Sequence, residues 1–169
     1  MLFRSRLGTF TLTHLLAKRF DLPIIAAGGI MDGAGIAAAL ALGAQAAQLG
    51  TAFVACPESA IDAGYRRAIL AKGARTTFTR SISGRQARGL LNRFTALDSD
   101  AARPPVPGYP IAYDAGKALH ATAKAKNEFG YGAQWAGQGV GLVREMGAGE
   151  LVGVLETEAL VAETQAWPV

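Results

Sequence analysis

Apolar and polar positions change period several times along the chain, and each change predicts an element. Leu12, Leu15, Leu16 and Phe20 recur at helical spacing, which predicts a helix from Thr9 or Thr11 to Phe20. The unbroken apolar run Pro23-Ile24-Ile25-Ala26-Ala27 predicts a buried strand, because the residue before a proline favours extended backbone and isoleucine favours the pleated surface. Gly28-Gly29 end that run. Ala34 to Leu42 predicts a second helix, with Asp32 placed to cap it, Ile36 and Leu40 on one face and Gly43 placed to end it. Ala46 to Leu49 is a second short apolar run, ending in Gly50-Thr51. Strand, helix and strand in this order form a parallel unit, so both glycine turns fall at the carboxyl ends of neighbouring strands.

The second half has weaker signals. From Cys56 the pattern predicts a helix with Pro57 in its first position and Glu58 in its first turn. Tyr65, Ala68, Ile69 and Leu70 suit one packed face of it, with Tyr65 as a core residue. Ala74 to Thr79 alternates as a short strand does, and Arg103 to Pro110 reads as a linker because its prolines and glycine break regular structure. Helical segments follow around Ala118 to Glu128, Gly137 to Met146 and Glu150 to Glu163, with Trp135 between glycines as a packing anchor.

Composition narrows the class. With 169 residues, 50% apolar and 18% charged, the chain can bury the core of one domain. Its single cysteine, Cys56, excludes an internal disulfide framework and fits a reducing, cytoplasmic setting. The net charge of +4 is spread along the chain, so no nucleic-acid surface is expected. No apolar run approaches the roughly 20 residues that cross a bilayer, so no membrane partner is expected. The basic, acid-free amino-terminal stretch is interrupted by Thr11, Thr13 and His14, which argues for a structural helix rather than a targeting peptide.

Candidate chemistry gathers in two places. At Gly28, Gly29 and Gly50 almost no side chain obstructs the backbone, and amides at such turns and at the following helix start attract an anion, most simply a phosphate. Gln48, Leu49 and Thr51 complete the second turn and add a side-chain amide and a hydroxyl. Tight packing alone would also use such glycines, and neither a GxxxxGK[ST] loop nor a GxGxxG fingerprint is present. Tyr109, Tyr113 and Lys117 stand at i, i+4 and i+8, which on a helix aligns two phenols and an ammonium; an amphipathic helix end with a snorkelling lysine has the same spacing. The arginines between Arg80 and Arg93 suit either a solvated face or an anionic ligand. His120 has no partner recognisable from sequence, and no metal-ligand spacing stands out.

Taken together, PIIAAGGIMDGAGIAAALALGAQAAQLGTAF, ACPES, TRSISGRQARGLLN and WAGQG resemble the carboxyl-terminal part of nitronate monooxygenases, formerly called 2-nitropropane dioxygenases. The resemblance implies an α/β fold: the last two βα repeats of an FMN-binding TIM (β/α)8 barrel, over residues 1–73, followed by a mainly helical substrate region over 74–169. It implies FMN as cofactor, its phosphate held by Gly28, Gly29, Gln48, Leu49, Gly50 and Thr51. It further implies that Tyr109, Tyr113 and Lys117 line a pocket for a small alkyl nitronate, oxidised with dioxygen to a carbonyl compound and nitrite. Six preceding strands and the family's pocket histidine have no counterpart here, so the chain is expected to be a part of a larger barrel, dependent on the missing half or prone to self-association. Related FMN-dependent NAD(P)H:quinone or enoyl reductases share the two turns, and a non-catalytic flavin-phosphate-binding remnant is the third reading.

Overall fold

The computed structural model describes residues 7–164; Met1–Arg6, which hold Arg4 and Arg6 of the basic amino-terminal stretch, lie outside the described residues. The chain forms two compact units, one made of residues up to 59 together with those from 142 onward, the other of residues 60–141. The expected boundary at residue 73 is therefore replaced by an excursion: the last helix returns to the first unit instead of joining residues 74–141.

In the first unit, helix α1 (Thr9–Arg19) leads into strand β1 (Ile25–Ala27), helix α2 (Gly33–Ala41), strand β2 (Ala46–Gln48) and the short helix α3 (Thr51–Val54). β1 and β2 run parallel with Ile25 opposite Ala46, Ala26 opposite Ala47 and Ala27 opposite Gln48. α2 covers one face of this pair, where Ala26, Ile30, Ala39 and Ala44 are buried with Ile36, Ala47 and Leu49 against them. A second cluster of Met31, Ala52, Cys56, Leu151 and Leu155 joins α2 and α3 to the final helix of the chain, with Ile36 and Leu49 again at its margin. Cys56 is thus a buried core thiol.

The stripe expected to bury α1 is a correction. Leu15 and Phe20 are exposed, and Thr13 is the residue buried on this helix. The small and polar face of α1 does the packing because its partners are backbone: Thr9 Oγ1 donates to the Gly28 carbonyl at 2.7 Å, and Ala17 lies 2.8 Å from where a β-carbon on Gly43 would stand.

The second unit begins with helix α4 (Ala63–Leu70), capped by Asp62, whose Oδ1 accepts from the Tyr65 amide at 2.8 Å. The helix expected from Pro57 therefore starts later, because Asp62 satisfies an end amide that a proline cannot. Strands β3 (Thr76–Thr79) and β4 (Ala87–Leu90) form an antiparallel hairpin, and Gly89 bridges to Trp135 on the other side of β4. β4 lies inside the arginine-bearing segment, where the residue pattern predicts no strand. Helix α5 (Arg93–Ala96) carries a reciprocal cap in which Asn92 Oδ1 accepts from the Thr95 amide and Thr95 Oγ1 from the Asn92 amide. Helix α6 (Ile111–Lys124) follows the proline-rich loop, and the segment expected to be helical over Gly137 to Met146 contains only a 3-10 turn over Gln138–Leu142. Helix α7 (Ala148–Thr164) closes the chain in the first unit.

Tyr65, expected in the core, is only half-buried. Its hydroxyl donates to the Trp135 carbonyl, and burial pushes its phenol up to about 12.

Candidate functional site

The two glycine turns are brought side by side. The Ala27–Gln48 register makes Gly28-Gly29 and Leu49-Gly50-Thr51 leave adjacent strands at the same level. Gly28, at φ 113°, adopts a conformation that residues with a β-carbon rarely take, and the hydroxyl of Thr9 fixes it from α1. Nothing lies within 4 Å of where a β-carbon would stand on Gly29 or on Gly50. Open backbone at two neighbouring strand ends, followed by the start of α3, fits a phosphate group. Residues Gly28, Gly29, Gln48, Leu49, Gly50 and Thr51 are accordingly gathered in one place.

The amides at the start of α2 are another matter. They were expected to join in binding an anion, and the chain fills them itself. Asp32 Oδ1 accepts from the Gly35 amide at 2.8 Å, and Glu158 Oε2, from α7, accepts from the Gly33 amide at 2.9 Å. Arg144 holds Glu158 in a two-pronged contact, Nη1 to Oε1 at 2.7 Å and Nη2 to Oε2 at 3.1 Å, and Nη2 also donates to the Met31 carbonyl at 3.3 Å. Hydrogen bonds from Arg144 and from the Gly33 amide hold the Glu158 carboxyl below its ordinary value, and Glu158 in turn raises Arg144. Two carboxylates thus occupy the Gly33 and Gly35 amides at the helix start.

Tyr109, Tyr113 and Lys117 lie in the second unit and do form a row. Tyr109 is not helical: it precedes Pro110, the residue at the cap of α6, so only Tyr113 and Lys117 are on the helix. The two rings nevertheless stand 6.3 Å apart, centre to centre, and Lys117 Nζ lies 4.5 Å from the centre of the Tyr113 ring. Lys117 also pairs with Asp114 at 3.4 Å, both side chains being well exposed. A fourth member, Arg85, places its guanidinium 4.7 Å from the centre of the Tyr109 ring. Spacing could not reveal Arg85, since it comes from the β3–β4 turn.

His120 has found a partner. Its Nε2 lies 3.3 Å from Asp62 Oδ2, which Lys124 also approaches at 3.3 Å, while its buried Nδ1 has no hydrogen-bond partner among the described residues. Burial opposes ionisation of Asp62, but hydrogen bonds from the Tyr65 amide and Lys124, and the charges of Lys124 and His120, outweigh it and hold this carboxyl below its ordinary value. The cluster ties α6 to the start of α4. Among the described residues no group of three or more His, Cys, Asp or Glu side chains could hold a metal ion, and no helix is long and apolar enough to cross a membrane.

A parallel strand pair joined through a helix, with glycine turns at its carboxyl ends, makes this an α/β protein. The family description "Nitronate monooxygenase" matches residues 3–158, and the chain belongs to that family. It is 69% identical over 157 residues to a nitronate monooxygenase of Paraburkholderia phytofirmans, covering 92% of this chain and 43% of the relative. It is 53% identical over 155 residues to a nitronate monooxygenase of Pseudomonas aeruginosa, covering 91% of this chain and 44% of the relative. Among solved structures, a nitroalkane oxidase from Streptomyces ansochromogenes superposes with a TM-score of 0.85 at 40% identity, over 94% of this chain and 45% of that one. FabK from Thermotoga maritima superposes with a TM-score of 0.77 at 30% identity, over 95% of this chain and 51% of that one. The chain spans less than half the length of these two curated relatives.

Proposed function

We propose that this chain is the carboxyl-terminal part of an FMN-dependent enzyme that oxidises alkyl nitronates with dioxygen to a carbonyl compound and nitrite. Its β1–α2–β2–α3 unit supplies the closing two βα repeats of a (β/α)8 barrel. The observation that carries this reading is the parallel register of Ala27 with Gln48, which sets two unobstructed glycine turns side by side in a chain of this family. The exposed side of the sheet supports the barrel. Ala26 is buried, yet Ile25 and Ala27, which alternate with it along β1, are exposed, whereas a strand inside a parallel barrel is covered on both faces. Such a surface suits the remaining barrel strands or, without them, a second copy of the chain.

FMN, when bound, supplies the electron-accepting and oxygen-reacting chemistry. The residues of the chain bind and orient. Gly28, Gly29, Leu49 and Gly50 offer backbone to the phosphate, and Gln48 and Thr51 add a side-chain amide and a hydroxyl. The nitronate is an anion, so the Lys117 ammonium provides opposite charge and the Tyr109 and Tyr113 hydroxyls provide hydrogen bonds. The contact of Lys117 with Asp114 is an exposed pair of small net worth, which an arriving anion can displace.

In the full-length enzyme, Lys117→Met should lower kcat/KM for a nitronate by about ten-fold, as the loss of a charge-assisted contact requires, with flavin content unchanged. Unaltered nitronate kinetics would remove Lys117 from the pocket. Steady NADH consumption by an enzyme that ignores nitronates would favour the reductase reading, and a colourless protein that does neither would favour the remnant.

A further inference from the structure

Tyr109 poses a positioning problem. It stands in the proline-rich loop before α6, it is 51% exposed, and no helical turn holds its ring. The structure supplies two contacts that do, both from the turn between β3 and β4.

The first is backbone on backbone. Gly84 has φ 75°, and a β-carbon on it would stand 2.4 Å from the Pro107 carbonyl oxygen, 2.9 Å from the Tyr109 amide nitrogen and 3.0 Å from the Gly108 carbonyl carbon. Only a residue without a side chain allows that approach. The second contact is the Arg85 guanidinium over the Tyr109 ring at 4.7 Å. The backbone of Arg85 is itself fixed: the buried Ser83 donates from Oγ to the Arg85 carbonyl at 3.0 Å and accepts from the Arg85 amide at 3.4 Å, and the Gly84 amide donates to the Arg80 carbonyl at 2.8 Å. No carboxylate among the described residues pairs with Arg85, so its contact with the ring is not drawn away by an ion pair. The result is a continuous row of cation, phenol, phenol and cation: Arg85, Tyr109, Tyr113, Lys117.

We propose that Arg85 is a positioning residue for the nitronate pocket: carried on a turn that Gly84 docks against the Tyr109 backbone, it clamps the Tyr109 ring and so sets where the Tyr109 hydroxyl meets the substrate. This rests on the assignment of Tyr109 and Lys117 to that pocket. The alternative, that Arg85 merely covers the ring, gives no coupling to substrate.

The test is a double-substitution cycle in the full-length enzyme, read by nitronate kinetics and by the fluorine resonance of 3-fluorotyrosine at position 109. Arg85→Met should raise KM with little change in kcat, lower kcat/KM by about two- to five-fold, the worth of an exposed cation–ring contact, and move and sharpen the fluorine signal. Arg85→Lys should restore both readouts in large part. In a Tyr109→Leu background Arg85→Met should change kcat/KM no further. Equal effects of Arg85→Met in both backgrounds, or an unmoved fluorine signal, overturn the proposal while leaving the pocket in place. If Tyr109→Leu and Lys117→Met also leave nitronate kinetics unchanged, the pocket assignment falls and takes this inference with it.

Discussion

Gly33 is the point at which the final helix grips the glycine-turn unit, and Gly33→Ala should loosen that grip. A β-carbon there would stand 2.2 Å from the Ala159 amide nitrogen, 2.3 Å from Glu158 Cβ and 2.5 Å from the Glu158 carbonyl carbon. Those atoms belong largely to the backbone of α7, so no rotamer change relieves the clash, and the helix must move outward by about 1 Å to restore ordinary contact distances. Two costs follow. Overpacking a tight interface costs about 1–3 kcal/mol. Displacing Glu158 from the Gly33 amide, now 2.9 Å away, forfeits a hydrogen bond to a charged group worth about 1.5–3 kcal/mol. The total of about 2.5–6 kcal/mol is a large part of a typical stability of about 5–15 kcal/mol, and it should lower Tm by about 10 °C in a protein of this size. Urea and thermal unfolding followed by far-UV circular dichroism measure it. Gly153→Ala, on the same helix but with nothing within 4 Å of its new β-carbon, is the control and should be neutral or gain up to about 1 kcal/mol from helix propensity. A loss below about 1 kcal/mol for Gly33→Ala would refute the argument that α7 sits on that glycine.

Other consequences are smaller. Because the Glu158 carboxyl is held below its ordinary value of 4.5, its contribution to stability is complete above that pH and is lost as the pH falls through the lowered value; the stability gap between the parent chain and Glu158→Gln should therefore narrow in acid, and a gap independent of pH would contradict the ion pair. Tyr65 works in the opposite direction: its raised phenol stabilises the fold below pH 10 and ceases to do so as the pH climbs toward about 12, so Tyr65→Phe should lack that alkaline loss. At neutral pH the same substitution removes the bond to the Trp135 carbonyl and should cost about 1 kcal/mol in urea unfolding; no loss at either pH would show that the hydroxyl is solvated rather than bonded.

What could be read from the chain was what neighbouring residues decide among themselves. Asp32 caps α2 three residues away, Gly28-Gly29 end a strand begun by Ile25, and a βα order leaves a parallel pairing as the natural outcome. The features that escaped are long-range. Glu158 meets Gly33 across 125 residues, and nothing near either residue signals the contact. For the same reason α7 was assigned to the second half, although Leu151 and Leu155 complete the core around Met31 and Cys56. β4 was hidden because Arg88 sits in mid-strand, where it lies over the Phe78 ring across the hairpin instead of standing in solvent. The Tyr109, Tyr113, Lys117 spacing pointed to a real row for an incomplete reason, since Tyr109 reaches it from the loop before Pro110 and is held there by contacts from another turn.

The central claim is that the paired turns after β1 and β2 hold the phosphate of FMN. Amide nuclear magnetic resonance on the 17.5 kDa chain tests it most directly, with titrations of FMN and of riboflavin, which differ only in the phosphate. The account predicts saturable shifts of the Gly28, Gly29, Leu49, Gly50 and Thr51 amides with FMN and none at these positions with riboflavin. Equal shifts with both ligands, or shifts confined to other parts of the chain, would contradict it.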